Sequence, residues 1–235
     1  MIVAFAFLGF ALIAGLFVYL TVLDAAKWRE KIEAVLLPIG FTVCLSKSEK
    51  AALAQALLIV NSRHQGKRLV LHLYHRPATD GRYDLFVCDY RFASINGGES
   101  GGKRILVCLV SREFDLPRLS IDCIPEAPAI LGRLFHGLSE TFPIPGMERV
   151  TMGDAKHDER FRLYVASGQI KQARPFLERI TSTLPERACV CIDAEGDCLA
   201  LSSIEMDAAL IRHEFDSPKL LYLIHVTSTL FETLI

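Results

Sequence analysis

The stretch Arg82-Tyr83-Asp84-Leu85-Phe86-Val87-Cys88-Asp89-Tyr90-Arg91-Phe92-Ala93 decides the fold. It is rich in aromatic and β-branched residues and carries a continuous apolar run at Leu85 to Cys88, the pattern of a buried strand. Working outward, Asp80-Gly81 precedes it. Glycine there tolerates the positive φ of a tight turn, so a second strand is expected at 68–76, joined as a hairpin. On the other side the polar loop from Asn96 to Gly102 leads to strands at 103–112 and 118–124. Short loops force successive strands to pair antiparallel, so a meander is expected rather than a βαβ unit.

Further out, Ser46-Lys47-Ser48-Glu49 has the form of a capping box and starts a helix to about Val60, with Leu53, Ala56, Leu57 and Val60 on one face. Pro125 and Pro128 introduce a short helix to about His136. A strand near Arg160 to Val165, helical residues from Gln169 to Thr183, and a hairpin at 187–193 and 197–202 complete a second αβ half. Pro175 lacks an N–H and clashes with the preceding turn, which predicts two short helices meeting there. Ser217 to Ile235 reads as a core helix. Its stripe is Leu220, Leu223, Ile224, Leu230, Phe231 and Leu234, opposed by His225, Ser228 and Glu232.

The chain has 235 residues, 51% hydrophobic and 23% charged, and no charge lies before Asp24. Ile2 to Leu23 would span about 33 Å as a helix, against about 30 Å of hydrocarbon core. No basic residue precedes the run and no small-residue cleavage site follows it, which argues against a cleaved signal peptide. Lys27, Arg29 and Lys31 follow the run, so the positive-inside rule puts the remainder in the cytoplasm. The expected fold class is α+β: an N-terminal transmembrane helix at 1–23, a juxtamembrane helix at 24–40, and at 41–235 a cytoplasmic domain with a mostly antiparallel sheet and packed helices. The expected location is a cell inner membrane, crossed once, with the bilayer engaged through residues 2–23 and a membrane protein as a candidate partner. Seven cysteines, an odd number without scaffold spacing, suit a reducing compartment. The net charge of −1 argues against a nucleic-acid binder.

Motifs for chemistry are sparse. Gly97 to Arg104 nearly matches a phosphate loop, but Arg104 stands where Ser or Thr would hold magnesium, and a strand follows where a helix is needed. Cys189, Cys191 and Cys198 would share a sheet face if Glu195-Gly196 were the hairpin turn. Three thiols fall short of the usual four-ligand structural zinc site, so packing is the expected role and no metal or cofactor is assigned. His72 and His75, three apart on a strand, face opposite sides. His213-Glu214 opens like a zinc-protease motif, but Ser217 stands where the second histidine belongs. Asp84, Asp89 and Asp115 are candidate carboxylates that the sequence cannot bring together, and no catalytic residue is assigned.

Phe86-Val87-Cys88-Asp89-Tyr90-Arg91-Phe92, then Phe114-Asp115-Leu116-Pro117-Arg118-Leu119-Ser120-Ile121 and Pro125-Glu126, resembles a group of uncharacterised bacterial single-span membrane proteins. Members of that group show an F-D-Y-x-Y strand and an L-P-x-F-x-L-x-P-E segment. Val87-Cys88 separates Phe86 from Asp89 here, and Leu119 replaces the second phenylalanine. The resemblance implies an anchored α+β domain and no transferable activity. The expected function is a membrane-anchored binding or scaffolding module. The alternative is an enzyme or small-ligand sensor with a pocket near Asp89, Tyr90 and Arg91.

Overall fold

The computed structural model describes residues 26–44, 66–94, 103–123, 144, 146–185, 190–203 and 215–235. The chain divides after Phe41 into two compact units. The first contains helix α1 at 26–36, whose buried side chains Trp28, Ile32 and Leu36 recur every four residues, and a 3-10 turn at Leu37–Ile39. Gly40, at φ 89°, ends that turn in the left-handed conformation.

The second unit, Thr42–Ile235, holds every described strand. In chain order these are β1 (Thr42–Val43), β2 (Gly66–Pro77), β3 (Asp84–Ser94), β4 (Lys103–Val110), β5 (Leu116–Cys123), β6 (Met147–Val150), β7 (Phe161–Ala166), β8 (Val190–Gly196) and β9 (Cys198–Ser203). Its described helices are α2 (Ala155–Arg160), α3 (Ile170–Thr183) and α4 (Ser217–Leu234). One nine-stranded sheet results, in the order β1-β2-β3-β4-β9-β8-β5-β7-β6, with every pairing antiparallel.

This corrects the fold class expected from the sequence. The described chain is mainly a single large sheet with a few helices, and no described helix is long and apolar enough to cross a membrane. The longest described helix of the sheet-bearing unit, α4, carries Lys219, His225, Thr229, Glu232 and Thr233 outside its buried apolar stripe, the pattern of a helix packed on one side rather than surrounded by lipid. The described structure gives the transmembrane and single-pass expectation no support. The run at 2–23 lies outside the described residues, as do the helices expected at 47–60 and before His136.

The meander also needs correction. β2, β3 and β4 pair in sequence order, but β4 and β5 are not neighbours. The β8–β9 hairpin lies between them, β9 against β4 and β8 against β5. Two intervening strands keep β4 and β5 antiparallel, and residues 111–115 bridge a gap of about 14 Å, three interstrand spacings. The hairpin turn is Gly196-Asp197, with Glu195 opposite Cys198, two residues from the expected register. Gly196 has φ 60°, which the turn requires of it.

Cross-strand partners share a sheet face. One face is apolar throughout its middle: Leu85 and Val87, Val107 and Leu109, Leu199 and Leu201, Ile192 and Ala194, Leu119 and Ile121, Leu163 and Val165 are all buried. It receives α3, which contacts β5 and β7, and α4, which contacts β4 and β9. Helix α4 starts at Asp216, whose carboxylate accepts from the Lys219 N–H at 3.0 Å. All six residues of its expected stripe are buried, with His225 and Glu232 exposed. Helix α3 runs unbroken through Pro175, contrary to the two helices expected. Pro175 lies on the exposed side, while Ala173, Leu177 and Ile180 are buried, so packing holds the helix together across the missing hydrogen bond.

Candidate functional site

Three side-chain groupings follow from this register. The first is a pair of His–Asp contacts between β2 and β3. The register slips between Val70 and His72, leaving Leu71 as a bulge. A bulge reverses the face alternation downstream of it, so Val70 stays with the thiol-bearing face while His72 turns to the apolar one. There His72 Nδ1 lies 3.0 Å from an Oδ2 of Asp89, and Asp89 is fully buried. An ionised carboxylate would accept from Nδ1–H, and a protonated one would donate to Nδ1, so the contact is a hydrogen bond in either case. On the opposite face His75 Nε2 meets Asp84 at 2.7 Å, and its ring stacks on Phe86 at 4.8 Å. The histidines do face opposite sides, each with its own carboxylate.

Of the three residues around which a pocket is expected, Asp89, Tyr90 and Arg91, the first two lie on opposite faces of β3. Asp89 points to the apolar face, and Tyr90, also buried, joins the cluster on the other. Arg91 lies between Leu69 and Lys103 in the ladder. Asp84, Asp89 and Asp115 do not converge either: Asp84 and Asp89 occupy opposite faces, and Asp115 is exposed in the β4–β5 connection.

The second grouping is the thiol cluster. Cys44, Cys88, Cys108 and Cys198 are buried with Leu73, Phe86, Tyr90, Leu106 and Ala200. Burial pushes the Cys198 thiol up to about 12, and the nearby Asp197 and Asp193 carboxylates add to the shift. Burial also raises Cys108 well above the ordinary range, helped by Cys198 and Cys88. A buried thiol held protonated in this way is a weak nucleophile near neutral pH. Among the described residues no three His, Cys, Asp or Glu side chains are grouped to hold a metal ion. Cys191 lies opposite Ser202, four residues along β8 from the partner of Cys198, so the two thiols share a face about 13 Å apart. Cys189 is outside the described residues, as are Gly97 to Gly102, although the strand expected after that loop is present as β4.

The third grouping was not anticipated. The β2–β3 turn (78–83), the β4–β5 connection (111–115) and the β8–β9 turn (196–197) meet at one end of the sheet, because Asp84, Val110 and Cys198 are aligned across the ladders. Hydrogen bonds lock the three together. The Ser111 N–H donates to the Asp197 carbonyl at 2.9 Å, the Ser111 hydroxyl donates to the Arg82 carbonyl at 2.7 Å, and the same oxygen accepts from the Glu113 N–H at 3.1 Å. Arg82 then forks onto Glu113, with Nη2 2.9 Å and Nε 3.1 Å from its carboxylate oxygens. That hydrogen bond, followed by the charge, holds the Glu113 carboxyl below the usual range and raises the Arg82 guanidinium. Glu232 of α4 approaches Arg82 at 3.6 Å, and the guanidinium sits 5.0 Å over the Phe231 ring. Phe231 also packs on Tyr83 and Phe114. The rim carries more acid than base: Asp80, Glu113, Asp115, Glu195, Asp197 and Glu232 against Arg82, Arg112 and Arg118. In the sequence its one trace was the density of charge between Arg112 and Asp115.

No family model, curated protein or solved structure matches the chain. The resemblance drawn from the sequence thus rests on its motifs alone, two of which lie largely in β3 and β5.

Proposed function

We propose that this chain is a non-enzymatic binding module whose recognition surface is the acidic rim at the turn-bearing end of the sheet. The observation that carries the reading is the locking of three separate connections into one surface by Ser111, Arg82 and Phe231. Binding residues commonly sit on loops held by a rigid scaffold, and loops already ordered lose little entropy on association. The excess of carboxylates favours a partner protein with a basic surface, since complementary charge speeds encounter and fixes orientation. The test is binding of the purified full chain to a basic and an acidic peptide array at two salt concentrations. Selective, salt-sensitive capture of basic sequences is expected, and it should weaken when Asp115 and Asp197 are changed to lysine.

A second reading, an enzyme or small-ligand sensor, is favoured by one feature, the buried Asp89 orienting His72 across the bulge. Such a carboxylate-held imidazole is a common acid–base element. Titration of the His72 ring by NMR with a small-molecule library separates the two readings. Ligand-dependent shifts confined to His72 and its neighbours would favour the second.

A further inference from the structure

We draw no further inference here: the strongest candidate, the buried Ser120 hydroxyl beside Asp193 on the sheet face opposite α3 and α4, carries nothing, because nothing in the structure shows what covers it.

Discussion

Replacing Phe231 by alanine removes the side chain on which the rim is built. The ring is fully buried, its centroid 4.4 Å from that of Tyr83 and 5.4 Å from that of Phe114. Exposing a large apolar side chain costs about 1.5–3 kcal/mol, and the cavity left in a packed core brings Phe→Ala to about 3–5 kcal/mol. At about 2–4 °C per kcal/mol for a chain of this size, the melting temperature should fall by roughly 6–20 °C. Urea unfolding followed by far-ultraviolet circular dichroism gives the free energy directly, and the slope should not change if only packing is lost. A loss under about 1 kcal/mol, the typical effect of an arbitrary substitution, would refute the argument that α4 is anchored here.

Other consequences follow from the same geometry. Asp89→Ala strands His72 and should cost about 1–3 kcal/mol, whereas Asp89→Asn, which keeps an acceptor, should cost less; equal losses in equilibrium unfolding would count against the His72 contact. Pro175→Ala restores an N–H in the middle of α3 and should raise stability by about 1–3 kcal/mol; calorimetry showing no gain would mean that the backbone there cannot use it. Alkaline stability should fall. The folded Cys198 thiol ionises near 12 and an unperturbed one at 9.0, so the folded state binds the extra proton between those values and is destabilised as pH rises through that window. The slope is about 1.4 kcal/mol per pH unit for this thiol, and Cys198→Ala should flatten it in chemical unfolding measured at several pH values.

Local chemistry in the sequence located β2 and β3 to within two residues, because Asp80-Gly81 marks the turn and the run from Leu85 to Cys88 has no helical period. The strand pairing between halves was not readable in this way. Neighbouring strands usually pair, and nothing in residues 111–115 signals that a hairpin beginning at Val190 will separate β4 from β5. The bulge at Leu71 is equally silent, since Val70, Leu71 and His72 fit a regular strand as well as a bulged one, yet it decides which carboxylate His72 meets. Short elements such as β6 and α2 fall below the length at which periodicity can be counted. Pro175 misled because intrinsic propensity yields to packing when one helix face is fully buried. The rim was missed for a related reason: Arg82, Ser111 and Phe231 are adjacent only in the folded chain.

The central claim, that the turn-bearing rim recognises a partner, is tested most directly by quantitative crosslinking in cells that express the full chain. Three forms are compared: the natural sequence, a rim variant with Asp115→Lys and Asp197→Lys, and a control with Glu178→Lys on the exposed side of α3. The account predicts a reproducible set of crosslinked proteins for the natural chain and the control, reduced about tenfold or more in the rim variant, a change of about 1.4 kcal/mol or more in binding free energy. Equal recovery from all three forms, or no reproducible partner from any, would contradict it.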